Sequence, residues 1–321
     1  MDEAHSCLES EWGNDKMRQD MRRAPAFLKA QFQSTTKPPV LAMTASAQIS
    51  KSLDHSNREI EQIAALCSIH HSPYITVMKT PILSNQIFVR LLKPPATYNF
   101  RGQFNNTNSD KVKSGASELL WNIYLKHFVK CIEDGTQPKK AIIYVTNLIH
   151  LMDINEYLRE KLIHLDVVKN PQTCPWILNN SNAGKNTIEK IRQRSKDPNG
   201  GIYLYVTTSV MLMGLDIKDI SLVILFSPFS TLNAFLQAGG RAGRRMPDGH
   251  RKKSVIYALY NNSEIKSSIP HMDKNVRDMY KTVNCLKRFT NQFFCESLLS
   301  VQNEDWCCSN CSLSVLMNNN K

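Results

Sequence analysis

The chain predicts an α/β protein built on parallel sheets, and two observations carry that prediction. Continuous apolar runs recur along it: PVLAMTASA (39–47), KKAIIYVTN (139–147), GIYLYVTT (201–208), SLVILFS (221–227) and SVIYALY (254–260). Such runs read as strands buried on both faces. Segments with helical spacing lie between them, and strands alternating with helices argue for a parallel sheet covered on both sides. Ligands bind at the carboxyl ends of such strands.

Each element follows in order. The run 39–47 ends in small hydroxylated residues and feeds a loop at its carboxyl end. Helical patterning covers 58–67, and YITVM (74–78) and QIFVRLL (86–92) read as strands. Pro94, Pro95 and the polar stretch 103–110 mark a linker. A helix is expected over 116–133, with Leu119, Leu120, Ile123, Tyr124 and Phe128 on one face. The strand 139–147 opens a second unit, followed by a helix over 151–164. The polar segment 165–200, with Pro171 and Pro175, reads as a long surface loop plus a helix at IEKIRQR. Strands at 201–208 and 221–227, a helix at 231–238 and a strand at 254–260 complete the unit, and NNNK reads as a disordered tail.

Bulk properties narrow the class. A length of 321 residues suggests about two domains. The net charge of +12 favours polyanionic partners, through phosphate contacts and counterion release. No run of 18 apolar residues occurs, so no membrane span is expected, and the first residues lack a signal-peptide pattern. Cys7, Cys67, Cys131 and Cys174 are scattered, whereas Cys285, Cys295, Cys307, Cys308 and Cys311 crowd together. A clustered set in a chain without a secretory signal reads as metal ligands sooner than as disulfides.

The stretch Gln237-Ala238-Gly239-Gly240-Arg241-Ala242-Gly243-Arg244 carries the clearest chemistry. Two arginines three apart, each preceded by glycine, follow an expected helix. Glycine lets a phosphate chain approach the backbone, and arginine offers a fixed fork of donors matched to phosphate oxygens. An arginine placed against a transferring phosphoryl group is worth roughly 10³–10⁵ in rate, or about 4–7 kcal/mol of barrier.

Four further motifs stand in order with this one: DEAH (2–5), TAS (44–46), AIIYVTN (141–147) and TTSVMLMGLD (207–216). The series resembles motifs II to VI of superfamily 2 helicases. The stretch after DEAH, with Trp12-Gly13, resembles the aromatic-rich loop of the RecQ branch, and QAGGRAGR is close to the RecQ form of motif VI. NCLKRFTNQFF (284–294) followed by WCCSNC (306–311) resembles the RecQ zinc-binding platform.

The resemblance implies a RecA-like helicase core followed by a small helical zinc-binding hairpin. Residues 1–98 would be the C-terminal part of a first RecA-like domain and 99–138 a linker and helix. Residues 139–262 would be a complete second RecA-like domain, and 263–321 the zinc-binding region. It implies an ATP-dependent helicase moving 3′→5′ on DNA, with ATP, Mg²⁺ and Zn²⁺ as cofactors. A nuclear location follows, or a cytoplasmic one in a bacterium. Asp2 resembles the carboxylate that holds Mg²⁺ and Glu3 the general base for water. Arg241 and Arg244 resemble the arginines reaching across the nucleotide cleft. His5, Gln237, Gly240 and Asp216 fall in nucleotide-linked motifs. Trp12, Thr44, Ser46 and Thr207 match positions on the nucleic-acid side. Cys285, Cys308 and Cys311 match zinc ligands. Cys307 gives the better spacing for the fourth, and Cys295 avoids two adjacent ligands.

Some features depart from the family. A phosphate loop needs G-x-x-x-x-G-K-[ST], and the near match Gly184-Lys185-Asn186-Thr187 lacks the first glycine. Leu212 stands where RecQ proteins carry glycine. The chain thus reads as a RecQ-type helicase shortened at motif II, not expected to hydrolyse ATP alone, with residues 1–98 less stable than 139–262. Two other readings compete: a non-catalytic zinc-containing DNA-binding module, and an RNA helicase of the DEAH or DEAD groups.

Overall fold

The computed structural model describes residues 86–94, 100, 102–103, 113–162, 176–179, 185–196, 202–208, 217, 219–243, 253–269, 272–293 and 307–311. The sequence expectations for 39–47, 58–67, 74–78 and the NNNK tail lie outside them. The chain divides into two compact units. The larger comprises Leu83–Lys287 and Asn303–Lys321, and the other comprises Met1–Ile82 and Arg288–Gln302. In the latter only 288–293 are described, where the Phe289 and Phe293 rings meet edge to face at 5.4 Å.

The larger unit is organised by a six-stranded, wholly parallel sheet. Its strands are β1 (Gln86–Leu92), β4 (Lys140–Tyr144), β5 (Trp176–Asn179), β6 (Leu204–Thr207), β7 (Ile220–Leu225) and β8 (Ser254–Tyr260), in the spatial order β1-β8-β7-β4-β6-β5. A two-residue antiparallel ladder, β2 (Gly102–Gln103) with β3 (Lys113–Ser114), precedes the first described helix. The central strands are those with unbroken apolar sequence. Ala141 to Val145 and Leu204 to Thr207 are all buried, as expected where helices cover both faces.

Helix α1 spans 116–133, α2 is Leu148–Leu162, α3 is Lys185–Lys196 and α4 is Leu232–Gly239. The helices α5 (Lys274–Lys281) and α6 (Leu286–Asn291) follow β8. On one sheet face, Ile143, Val145, Val206, Ile224 and Phe226 pack against Leu120, Phe128, Leu151, Ile154 and Leu158 of α1 and α2. On the other, Phe88 meets Phe235 of α4 at 5.1 Å. A Cβ on Gly239 would lie 2.9 Å from the Ile256 side chain, so this glycine lets α4 approach the sheet.

Three sequence expectations are corrected. First, 86–92, assigned to the first unit (1–98), is an edge strand of the second unit's sheet. It pairs residue for residue with β8, from Gln86↔Ser254 to Leu92↔Tyr260. Both strands are seven residues long, so a full ladder satisfies the outer edge of β8, which local sequence does not reveal. Second, helix 116–133, grouped with the linker in 99–138 and outside the second domain, packs into the core of the same unit. It contains a π turn at Trp121–Leu125. The extra residue in that turn rotates the later face, so Leu125 and Val129 are buried beside Phe128. Third, the expected loop 165–200 contains the strand β5, whose four residues pair in parallel with β6.

A buried ion pair fastens the end of β1. Lys93 Nζ donates to Glu264 Oε1 at 2.7 Å and to the Phe226 carbonyl at 2.7 Å, and lies 4.5 Å over the Phe226 ring. Burial pulls the Lys93 ammonium below its usual range, opposed by the charge of Glu264 and its hydrogen bond.

Candidate nucleotide and nucleic-acid edges and a four-cysteine cluster

The arginine turn is built from α4 outward. Thr231 caps the helix, its Oγ1 accepting from the Ala234 amide at 3.1 Å. The helix ends at Gly239, and tight turns follow: Arg241 N–H donates to Ala238 O and Ala242 N–H to Gly239 O. A Cβ on Gly240 would lie 2.9 Å from the Leu236 carbonyl oxygen. Gly243 adopts φ +65°, a left-handed conformation that favours glycine. Its N–H donates to Ile220 O at 3.0 Å, and Gln86 Nε2 donates to Ala242 O at 2.7 Å. The half-buried Arg241 therefore sits on a turn fastened to the first residues of β7 and β1. Gln237 occupies the last turn of α4 and is half-buried.

Thr207 lies at the opposite edge of the sheet, as the last residue of β6. With six residues in β7 and a rise of about 3.3 Å each, the two edges are roughly 15–20 Å apart. Thr207 is fully buried, and its Oγ1 donates to the Thr208 carbonyl at 3.0 Å. Beside it, Thr146 and Asn147 are exposed, and Asn147 Oδ1 accepts from the His150 amide to start α2. The structure thus separates the arginine turn from Thr207 across the length of the strands. Asp2, Glu3, His5, Trp12, Thr44, Ser46, Asp216, Arg244 and Cys295 lie outside the described residues.

Four cysteines come together: Cys285, Cys307, Cys308 and Cys311, with all sulfurs within 4.8 Å of one another. Four of the separations are 3.5 Å (Cys285–Cys307), 3.3 Å (Cys307–Cys311), 3.9 Å (Cys285–Cys308) and 3.5 Å (Cys308–Cys311). Tetrahedral zinc with bonds of about 2.3 Å to sulfur sets sulfurs about 3.8 Å apart, so the donor set and its spacing fit that ion. Between the two candidates for the fourth position, Cys307 stands in the cluster. The contact with Cys285 holds the Cys308 thiol down at about 4, against burial, helped by the backbone amides of Cys311 and Leu286. Burial and the neighbouring thiols of Cys307 and Cys308 push Cys311 up to about 12.

The cluster is docked on the edge strand. Phe88 N–H donates to Cys307 O at 3.1 Å, and Phe88 and Cys308 form a parallel bridge. Arg90 N–H donates to Ser309 Oγ at 3.2 Å. Sequence reading missed Gln86, Arg90 and Asn310. The available signal was a polar or charged residue inside the strand run QIFVRLL, which demands partners when half-buried.

Residues 124–246 match the helicase conserved C-terminal domain family. The chain is 28% identical over 169 residues to a probable ATP-dependent RNA helicase ddx51 of Dictyostelium discoideum, covering 53% of this chain and 28% of that protein. It is 24% identical over 170 residues to DEAD-box ATP-dependent RNA helicase 5 of Oryza sativa subsp. japonica, covering 52% and 32%. The chain spans under a third of the length of these curated relatives. Among solved structures it is similar to the Mycobacterium smegmatis helicase Lhr bound to ssDNA and AMP-PNP. That match has a TM-score of 0.52 and 16% identity over 82% of this chain and 28% of that one. It is similar to the DUF1998 helicase MrfA bound to DNA and AMPPNP, with TM-score 0.51 and 17% identity over 86% and 31%. It also resembles Saccharomyces cerevisiae Dbp5 bound to RNA and ADP BeF3, with TM-score 0.50 and 11% identity over 91% and 56%. At such identities these are likenesses of fold. Over the matched residues the chain thus resembles the helicase conserved C-terminal domain family, and its parallel α/β fold is like that of these solved helicases.

Proposed function

We propose that the chain acts in a RecQ-type, ATP-dependent 3′→5′ DNA helicase, as the part that completes the nucleotide site and carries a zinc-stapled platform. The observation that carries this reading is the four-cysteine cluster docked on the edge of the helicase C-terminal sheet. Cys285, Cys307, Cys308 and Cys311 would hold the zinc, which supplies a structural cross-link and no chemical step. Arg241 and Arg244 would approach the phosphates of ATP, where arginine offsets the charge that develops on transfer. Gln237, Gly240 and Asp216 would complete that edge. Asp2 would hold Mg²⁺, Glu3 would orient water, and His5 would couple the two edges. Thr44, Ser46 and Trp12 would lie along the DNA, with the fully buried Thr207 supporting the strand end behind that face rather than touching it. The sequence contains no G-x-x-x-x-G-K-[ST] run, so ATP turnover by this chain alone is expected to stay at background.

A second reading, an RNA helicase, is favoured by the names of the curated relatives. Both are tested by measuring metal content and titrating the full chain with single-stranded DNA and RNA of equal length over a salt series. The RecQ-type reading expects one zinc per chain and DNA affinity that falls log-linearly with salt. A metal-free protein that prefers RNA would sink it in favour of the second.

A further inference from the structure

We propose that Arg90, a residue of the parallel sheet, is a positioning residue for the four-cysteine site; this rests on the metal-site reading above. The ligands come from two stretches of chain, with Cys285 and Cys307 22 residues apart. One arm is the segment leaving α5 toward Cys285, and the other is the knuckle 307–311. Arg90 grips both. Its Nη1 donates to the carbonyls of Met279 at 3.0 Å, Tyr280 at 2.9 Å and Thr282 at 2.8 Å. Its Nη2 donates to Asn310 Oδ1 at 3.4 Å, and its own amide to Ser309 Oγ at 3.2 Å. Asn310 closes the circuit, its Nδ2 donating to Thr282 O at 3.1 Å and Asn284 O at 2.7 Å. The residues immediately before Cys285 and Cys311 therefore belong to one hydrogen-bonded network. Its hub is a cation on a strand that is fixed by its ladder with β8.

The chemistry suits arginine. The last carbonyls of α5 lack helical partners and carry partial negative charge, which a guanidinium satisfies. A divalent ion held by four thiolates is net negative, so a nearby fixed cation favours the loaded state. Lysine would keep the charge but has one nitrogen, which cannot hold the carbonyl group and Asn310 together. Groups outside the ligand set that orient metal ligands commonly set metal affinity.

The test loads the purified full chain with Co²⁺, followed by its thiolate charge-transfer absorption and by competition with a chelating dye. Wild-type protein is expected to take up one ion. Arg90→Met and Asn310→Ala are expected to weaken binding by roughly 10- to 100-fold and to alter the cobalt spectrum, with Arg90→Lys between them and wild type. Lys93→Met, which removes the buried cation just past the end of β1, should cost stability and leave cobalt affinity unchanged. The proposal is overturned if Asn310→Ala and Arg90→Met both bind within about twofold of wild type. It is equally overturned if Lys93→Met weakens cobalt as much as they do. Should Arg90→Met not fold, Asn310→Ala, placed at the outer end of the network, decides alone. Wild-type protein that takes up no cobalt would instead remove the metal reading itself.

Discussion

The two edge strands of the sheet solve one problem in different ways. An edge presents unpaired N–H and C=O groups, which invite other chains. β5 is only four residues long, so it offers little. β1 is seven residues long and mostly apolar, and its outer side meets the cysteine knuckle through Phe88 and Arg90. The longer edge is thus covered by a segment that a metal would hold in shape. A short strand needs no guard, and the long one is covered by a segment that carries three of the four clustered cysteines.

The comparison can be broken or sharpened by experiment. Phe88 is 1% exposed, packs on Phe235 and pairs with Cys307. Phe88→Ala is expected to cost about 3–5 kcal/mol in urea unfolding. A cost under about 1 kcal/mol would mean that the edge contributes little. Cys308→Ser is next: it should abolish stoichiometric metal and lower stability by about 3 kcal/mol. Light scattering should then reveal self-association through β1. A metal-free variant that stays monomeric would show that the knuckle is no guard. Lys93→Met leaves Glu264 half-buried without its cation, and about 2–3 kcal/mol should be lost, discounted because Glu264 is 22% exposed. The smallest effect concerns pH. Burial first, then the Lys93 cation, pulls the His150 pKa down, opposed by Glu264 and Asp153. His150 stays neutral in both states above about 6.5. Below that the unfolded chain takes the proton first, so stability falls as the pH falls. His150→Gln should flatten this part of the stability profile; an unchanged slope would remove His150 from the account.

Much of the larger unit was legible because burial writes itself into unbroken apolar runs. β4, β6, β7 and β8, and the helices α2 and α4, stood where periodicity put them. β1 also stood where expected, yet its partner did not follow from sequence, because pairing between Gln86 and Ser254 depends on topology rather than local pattern. β5 was hidden by its brevity. The π turn in α1 was hidden because an extra residue in a helix leaves no mark beyond a shifted apolar face. In the candidate sites, spacing singled out Arg241 and the cysteines. Gln86, Arg90 and Asn310 were invisible, since their partners are backbone carbonyls, which every residue possesses.

The placement of β1 also bears on how the polypeptide is made. Arg90 and its partner Ser309 are 219 residues apart. At about 5–20 residues per second, a ribosome needs roughly 10–40 s to deliver the second after the first. During that interval β1 waits without the knuckle on its outer side, and its inner partner β8 is itself delivered only at 254–260. Birth, more than maturity, is when this domain is exposed to misassembly.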